Sequence, residues 1–339
     1  MMGGRGPARC RGLRVPDRRR PDGRLLRGLG LACAVAITLL IGSGGWVRLS
    51  ESGLGCPTWP RCTATSVVAP VRYHALVEFV NRCMITTVGV LVAVTVVAAF
   101  LARPRRRDLR WLASGLVAGY VGEAVLGGIT VLLKLAPALV AAHLVLAMLL
   151  LADAVVLADR ATRPARGGPH RPPERHLVWL SDLTLLTIGL VVTAGTVVTG
   201  SGPHSGSPGT PRFHLPFTPT AEFHAVVGMF LFGLVVAQAL AVQAAHAPRR
   251  ARPAAAVAVG LVALQGAIGY ATYFSHVQVD VTEAHVLGAA LVVAALVRCR
   301  LALSPAATVD PPGAVGQRAV EGGQLGAAPE EPVARPALR

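Results

Sequence analysis

Residues 73–101 have the sequence YHALVEFVNRCMITTVGVLVAVTVVAAFL, an apolar run that is long enough to cross a lipid bilayer. A membrane-spanning helix needs about 20 consecutive and mostly apolar residues. The acidic and basic side chains of this run, His74, Glu78 and Arg82, all lie near its start. The run therefore predicts a membrane-spanning helix that carries its polar groups near one end.

Further runs of this kind make the chain a predicted membrane protein. It has 339 residues, of which 53% are hydrophobic and 15% charged, and its mean hydropathy is +0.55. Soluble domains carry about 25% charged residues, so this composition excludes a disordered chain and argues against a soluble enzyme. We predict an all-α integral membrane protein with eight transmembrane helices. The predicted spans are 26–47, 73–101, 111–133, 137–158, 177–200, 222–245, 254–274 and 281–299.

The basic residues are distributed unevenly between the predicted loops. Of the 33 Lys and Arg residues, 27 lie in the terminal segments and in every second loop, whereas five lie in the alternate loops. Positively charged loops face the cytoplasm, so both termini are predicted to be cytoplasmic. The formal net charge of +16 is then an orientation signal with some attraction to anionic lipid, and nucleic-acid binding is not supported. We expect residues 26–47 to be a retained helix rather than a signal peptide.

The two halves of the chain repeat each other weakly. Residues 122–130 align with residues 264–272 at an offset of 142, and His143 falls on His285 at the same offset. The repeat predicts two pseudo-symmetric four-helix bundles with the same orientation in the membrane. The predicted domains are an Arg-rich cytoplasmic tail (1–25), an N-terminal bundle (26–158), a cytoplasmic linker (159–176), a C-terminal bundle (177–299) and a disordered cytoplasmic tail (300–339).

Four histidines, His74, His143, His224 and His285, lie in the even-numbered spans, and the topology puts all four near the outer ends of their helices. Ionisable side chains inside membranes are costly and usually functional. Two neutral imidazoles on facing helices can bind one haem iron inside a bundle. The alternative is that each histidine caps a helix or hydrogen-bonds between helices. Zinc is less favoured, because no Cys or carboxylate lies close enough in sequence to complete its ligands.

The second span carries a further polar group. His74, Glu78 and Asn81 share one helix face because they are spaced by four and three residues. A carboxylate at this depth beside an imidazole and an arginine is either a salt-bridged structural group or a reactive one. The third span adds Glu123, whose counterpart in the second half is Gln265. This asymmetry predicts that one half holds a permanent cofactor and that the other half carries out chemistry.

Two of the six cysteines lie in the outer loop after the first span, at Cys56 and Cys62. That compartment is oxidising, which favours a structural disulfide between them. A redox-active pair and two free thiols are the alternatives.

Several motifs together resemble the haem A synthases, and the likeness extends over residues 26–299. The motifs are Gly44-Gly45-Trp46-Val47-Arg48-Leu49, Ser52-Gly53-Leu54-Gly55-Cys56-Pro57-Thr58-Trp59-Pro60, Glu78-Phe79-Val80-Asn81-Arg82 and Thr199-Gly200-Ser201-Gly202-Pro203-His204-Ser205-Gly206. The resemblance implies an oxidoreductase of the cell (plasma) membrane that oxidises the C8 methyl of haem O to a formyl group, which yields haem A for cytochrome c oxidase. It also implies eight helices in two pseudo-symmetric bundles and an outer-loop disulfide between Cys56 and Cys62.

The resemblance further implies a role for each candidate residue. A haem b cofactor is expected in the C-terminal bundle, with His224 and His285 as the axial ligands of its iron. The substrate haem is expected in the N-terminal bundle, where His143 matches a family ligand. The essential carboxylate of the family falls on Glu78, which is the predicted catalytic residue.

One position departs from the family pattern. The motif of the second span usually has Glu-x-x-His-Arg, whereas this chain has Asn81 before Arg82. Either His74, two turns earlier on the same face, replaces the missing ligand, or the substrate iron is held by His143 alone and keeps an open coordination position. Asn81 and Arg82 are included among the candidate substrate-binding residues.

The implied partners are haem O, membrane lipid, a haem O synthase, a ferredoxin-type electron donor and a second copy of the chain. The sequence identifies neither the electron donor nor the source of oxygen. The alternative function is a quinol-linked di-haem b electron carrier, which explains the four histidines equally well but not the extra acid in the first bundle. A transporter with parallel repeats is less favoured, because no Pro lies at the centre of a span.

Overall fold

The computed structural model describes residues 23–163 and 174–304, and these two ranges contain eight long α-helices and no β-strand. Each helix is long and apolar enough to cross a membrane. The helices are α1 (Gly23–Leu49), α2 (Tyr73–Leu101), α3 (Arg107–Leu132), α4 (Pro137–Ala161), α5 (Arg175–Ser201), α6 (Phe217–Ala244), α7 (Ala251–Phe274) and α8 (Val279–Ala302). The predicted all-α fold with eight spans is confirmed.

The helix bounds differ from the predicted spans by a few residues at most ends. Helix α2 has the predicted bounds, whereas α3 begins four residues early, at Arg107. Polar residues next to an apolar run continue a helix beyond the hydrocarbon, because the backbone hydrogen bonds of a helix do not depend on lipid. Helices α4 and α8 accordingly extend to Ala161 and Ala302, beyond the predicted ends of their spans.

Parts of three predicted segments lie outside the described residues. They are residues 1–22 of the Arg-rich tail, residues 164–173 of the linker and residues 305–339 of the C-terminal tail.

The helices pack in two closed rings of four. In the first ring, which we call the N-terminal bundle, α1 and α3 each contact α2 and α4. In the second ring, the C-terminal bundle, α5 and α7 each contact α6 and α8. The bundles meet through contacts of α1 with α8 and of α4 with α5 and α8. If α1–α4 are exchanged for α5–α8 in the same order, the same pairs of helices are in contact. The pseudo-symmetry itself stays a prediction.

Glycines on α3 allow the close approach of α4. A Cβ atom at Gly115, Gly119, Gly122 or Gly127 would lie 2.7–3.2 Å from the α4 side chain opposite. Those side chains are, in the same order, Asp153, Leu150, Leu146 and His143. Small residues are typical of helix pairs in membranes, where close packing replaces the hydrophobic driving force. The row of glycines therefore places His143 against α3.

Loops predicted on the same side of the membrane meet in the structure. The N–H of Gly53, after α1, donates to the carbonyl of Gly206, after α5, at 2.8 Å. Arg48, near the end of α1, donates to the carbonyls of Thr199 and His204 at 2.9 and 3.1 Å. We call this end of the molecule the outer end, and its orientation relative to the cytoplasm stays a prediction.

An ion-pair cluster joins the two bundles at the opposite end. Asp159 of α4 is 8% exposed, and its carboxylate oxygens lie 2.7 Å from Arg298 of α8 and 2.5 Å from Arg163. Arg163 also donates to the carbonyl of Leu301 in α8 at 2.7 Å. Burial lowers the pKa of the Arg163 guanidinium, and the nearby Asp159 carboxylate opposes this effect. One buried carboxylate thus connects α4 to α8.

We expect Asp159→Leu to lower the free energy of unfolding by about 3 kcal/mol, because loss of one partner leaves buried charge unpaired. Unfolding in mixed detergent micelles, followed by tryptophan emission, measures the change. The control is Asp182→Leu, because the Asp182 side chain is 51% exposed and pairs with Arg300. That change is expected to cost less than about 1 kcal/mol. Equal stability of the two variants would contradict the role of Asp159.

Candidate functional site

Two histidine side chains lie close together inside the C-terminal bundle. The rings of His224 on α6 and His285 on α8 have centroids 6.1 Å apart and are inclined by 79°. Both residues are partly buried. Imidazole nitrogens bind a metal ion at about 2.0–2.1 Å, so this gap accommodates one metal ion between the two rings. The pair fits the two axial ligands of a haem iron.

Each of these rings has a contact at Nδ1. His224 Nδ1 donates to the carbonyl of Val191 at 3.1 Å. The amide nitrogen of Gln265 lies 3.1 Å from His285 Nδ1 and donates to the backbone carbonyl of His285 at 2.8 Å. The hydrogen bond at His224 Nδ1 orients that ring and leaves its Nε2 as the atom that binds a metal, and the Gln265 amide orients the ring of His285.

A glycine on a neighbouring helix lies against each ring. A Cβ atom at Gly195 would lie 3.0 Å from His224 Cε1, and one at Gly269 would lie 2.9 Å from His285 Cε1. A larger side chain at either position would displace the imidazole. The two glycines therefore help to set the separation of the rings.

The N-terminal bundle holds His143 in a similar way. A Cβ atom at Gly127 would lie 3.2 Å from His143 Cε1, and His143 Nδ1 lies 3.0 Å from Glu123 Oε2. Gly127 and Glu123 are the counterparts of Gly269 and Gln265 at the offset of 142. The N-terminal bundle thus has a carboxylate where the C-terminal bundle has an amide. A carboxylate at Nδ1 makes an imidazole a stronger ligand for a metal.

Asn81 lies about as far from the start of α2 as His224 lies from the start of α6. Asn81 is the ninth residue of its helix and His224 the eighth. Among the described residues, Oδ1 of Asn81 is buried and has no hydrogen-bond partner. A buried polar atom without a partner costs about 1–3 kcal/mol, so we expect a ligand to meet it.

His74 lies apart from this group. It is exposed, and its Nδ1 lies 3.0 Å from the hydroxyl of Ser52. His74 is the second residue of α2, whereas the other three histidines are the seventh or eighth of their helices. His74 is about 10 Å nearer the helix end than Asn81, because each residue adds 1.5 Å. Its role as a substrate ligand stays a prediction.

Glu78 and Arg82 form an ion pair that holds the outer loop. Glu78 is 4% exposed, its Oε1 accepts from Arg82 Nη2 at 2.6 Å and its Oε2 accepts from the N–H of Cys56 at 2.7 Å. Arg82 also donates to the carbonyls of Cys56, Thr58 and Arg61 at 2.8, 3.0 and 3.1 Å. The Glu78 carboxylate is therefore salt-bridged and is also bonded to the loop backbone.

The predicted disulfide between Cys56 and Cys62 is confirmed. Both cysteines are buried, with 0% and 1% of their surface exposed. The bond closes residues 56–62, which we call the disulfide loop, around the guanidinium of Arg82. Trp59 of this loop lies against Gly128 of α3.

Two acidic residues of the spans were not anticipated. Glu283 lies where α8 meets α1, and a Cβ atom at Gly45 would be 2.5 Å from its Oε2. Asp153 faces Gly115 across the contact between α4 and α3. Within the described ranges, neither Glu283 Oε2 nor Asp153 Oδ2 has a hydrogen-bond partner. The signal that identifies both is the occurrence of an acid in an apolar span.

The chain matches the family described as COX15-CtaA, cytochrome oxidase assembly protein, over residues 68–297. The chain belongs to this family. As a family member with eight spanning helices, it is a multi-pass protein of the plasma membrane.

Curated relatives of this chain carry the name "Heme A synthase". The protein of Symbiobacterium thermophilum is 29% identical over 150 residues, which cover 44% of this chain and 49% of the relative. The protein of Bacillus licheniformis is 25% identical over 135 residues, which cover 40% of this chain and 44% of the relative. The chain spans about half the length of the curated relatives it matches.

We expect Arg82→Ala to speed reduction of the Cys56–Cys62 disulfide by dithiothreitol at least about tenfold. The sulfurs are buried, so reduction requires opening of the disulfide loop, and the guanidinium supplies several hydrogen bonds of about 1 kcal/mol each against that opening. Alkylation of the released thiols followed by mass spectrometry measures the rate. Arg61→Ala, an exposed arginine of the same loop, is the matched control and is expected to change it little. Equal rates in the two variants would contradict this role of Arg82.

Proposed function

We propose that this protein is a haem A synthase, an oxidoreductase that converts the C8 methyl of haem O into the formyl group of haem A for cytochrome c oxidase. The observation that carries the proposal is the difference between the bundles. One bundle has two histidines at a separation that suits a single iron, and the other has a histidine and an asparagine with an unpartnered oxygen. A haem whose iron has two strong ligands stays bound. A haem whose iron has one strong ligand is exchanged more readily, as a substrate must be. The names of the relatives support this function.

We propose haem b as the cofactor of the C-terminal bundle. His224 and His285 would hold its iron through Nε2, while Val191 and Gln265 keep the two rings in place. A haem bound there supplies one-electron transfer. The apolar helices around the pair limit the access of water.

For the N-terminal bundle we propose His143 as the ligand of the substrate haem. Glu123 lies at its Nδ1 and increases the basicity of the imidazole. Asn81 presents a carboxamide, which is a weaker ligand for iron than imidazole. A single strong ligand is consistent with a haem that must be exchanged after each reaction. Arg82 is proposed to act through the disulfide loop.

Glu78 is the proposed catalytic carboxylate. It lies three residues before Asn81 and shares its helix face. Its oxygens already accept hydrogen bonds from Arg82 and from the N–H of Cys56, which favours stabilisation of developing positive charge over acceptance of a proton. The buried position keeps this charge away from solvent.

The reaction also needs electrons and oxygen from outside the chain. A ferredoxin-type donor, a haem O synthase and a second copy of the chain stay predicted partners. The di-haem electron carrier requires two permanently held haems. In the described N-terminal bundle the second histidine, His74, is exposed near the start of α2, whereas His143 is the seventh residue of α4.

Expression of the chain in a host that makes haem O but lacks its own haem A synthase is expected to produce haem A. The haems are extracted from membranes and separated by liquid chromatography, with membranes that carry the empty vector as the control. Unchanged haem O would contradict the proposed activity, and it would favour the electron carrier if the protein still contains haem.

His224→Ala and His285→Ala are each expected to abolish the low-spin haem absorption of the purified protein, because each change removes one axial ligand. Absorption spectra of the oxidised and dithionite-reduced protein test this. His246→Ala, an exposed histidine between α6 and α7, is the control and is expected to leave the spectrum unchanged. Unchanged low-spin absorption in both ligand variants would rule out the assignment.

Glu78→Ala is expected to retain most of the bound haem and to slow conversion of haem O about 100-fold, a typical effect of removing one electrostatic group from an active site. Glu78→Gln preserves the shape of the side chain and tests the charge alone. Haem content is measured by absorbance and conversion by chromatography. Accumulation of haem A at the wild-type rate in both variants would exclude a catalytic role.

A further inference from the structure

The indole ring of Trp59 lies in a notch on α3. A Cβ atom at Gly128 would be 2.7 Å from Trp59 Cδ2 and 2.8 Å from Cε2, so this contact requires a glycine on α3. Gly128 is buried, whereas Trp59 keeps 45% of its surface exposed. The ring therefore covers α3 at this point and presents the rest of its surface outward.

The disulfide loop connects the outer ends of α2 and α3. Arg82 of α2 binds its backbone carbonyls, and Trp59 at its tip reaches α3. Deeper in the bundle the same two helices meet directly, where the hydroxyl of Tyr120 donates to the carbonyl of Ile85 at 3.3 Å and lies against Gly89. The stretch of α3 between Tyr120 and the Trp59 contact is about 12 Å long.

This side of the N-terminal bundle faces the surrounding membrane. In the part of the chain that the structure describes, the contacts between the bundles run through α1 and α4 on the N-terminal side. Helices α2 and α3 are therefore left on the far side, where Val80, Val90 and Val121 are exposed. An apolar substrate dissolved in lipid would reach the bundle from here.

His143 lies close to the connection between α2 and α3. Gly127, which contacts the His143 ring, is the residue next to Gly128. In the other half of the chain, the counterparts of these glycines are Gly269, which also contacts a histidine, and Tyr270. A tyrosine leaves no room for an indole ring at that position, so the notch covered by Trp59 is a property of the N-terminal bundle.

We propose that the substrate haem enters and leaves the N-terminal bundle between α2 and α3, and that Trp59, seated on Gly128, latches the outer end of this passage. The inference rests on the proposed function, because it takes the N-terminal bundle as the substrate site. Trp59 is a positioning residue in this scheme, and it controls the exchange of the substrate without taking part in the oxidation.

The rate at which haem leaves the N-terminal bundle tests whether Trp59 acts as a latch. Purified protein loaded with iron protoporphyrin IX is mixed with excess apomyoglobin, and haem transfer is followed by absorbance. The phase that disappears in His143→Ala belongs to the N-terminal bundle. We expect Trp59→Ala to speed this phase about tenfold, as suits the loss of one packed aromatic ring, and to leave the slower phase of the C-terminal bundle unchanged. Trp59→Phe is expected to restore much of the slow exchange.

Gly128→Ala tests the same contact from the opposite side, because its methyl group displaces the indole ring. It is expected to speed the same phase, and the double variant Trp59→Ala/Gly128→Ala is expected to be no faster than Trp59→Ala. Trp111→Ala is the control for loss of an exposed tryptophan, since Trp111 is 78% exposed near the opposite end of α3. Gly266→Ala is the control for an added methyl group, because no described atom lies within 4 Å of its Cβ position.

Several results would overturn the inference. They are unchanged exchange in Trp59→Ala, equal acceleration of both phases, and additive effects of the two substitutions. Absence of any phase that depends on His143 would remove the haem site from the N-terminal bundle, and the latch with it. Failure of the proposed activity is distinguishable, because haem O would then stay unconverted while the exchange rates follow the expected pattern.

Discussion

Close approach of neighbouring helices at glycine residues is the constraint on which both candidate sites depend. Lipid provides no hydrophobic force between helices, so their association relies on tight packing of backbones and small side chains. Gly127, Gly195 and Gly269 each lie against the imidazole of a histidine on the next helix. The same packing brings Nδ1 of each ring to a carbonyl, an amide or a carboxylate, which orients the three imidazoles.

Arginine side chains hold the molecule together outside this apolar interior. Arg48 and Arg82 at the outer end, and Arg163 at the opposite end, all donate to backbone carbonyls of segments distant in the chain. A guanidinium suits this task because its five N–H groups point in fixed directions and it stays charged. These arginines connect the helices at the two ends of the molecule. The candidate haem sites lie between those ends, one between α2 and α4 and the other between α6 and α8.

Several features of the fold and site could be predicted because they depend on short stretches of sequence. The spans follow from hydropathy, and the Cys56–Cys62 bond follows from an oxidising compartment and a short loop. The proximity of His224 and His285 follows from their similar distances from the starts of α6 and α8, two helices of the same four-helix bundle. The bond between Glu78 and the N–H of Cys56 could not be predicted, because spacing along α2 does not show where a loop folds back.

By itself, the sequence determined the number of spans, their approximate bounds and the ionisable side chains that they carry. These are local properties, because the transfer of each apolar run into lipid depends mainly on its own residues. Only the tertiary structure decided that Asn81 Oδ1 is buried whereas His74 is exposed, that Glu283 lies against α1 and that Trp59 covers Gly128. Those arrangements depend on the rotation of each helix about its axis and on the path of the disulfide loop, which are set by packing between residues far apart in the chain.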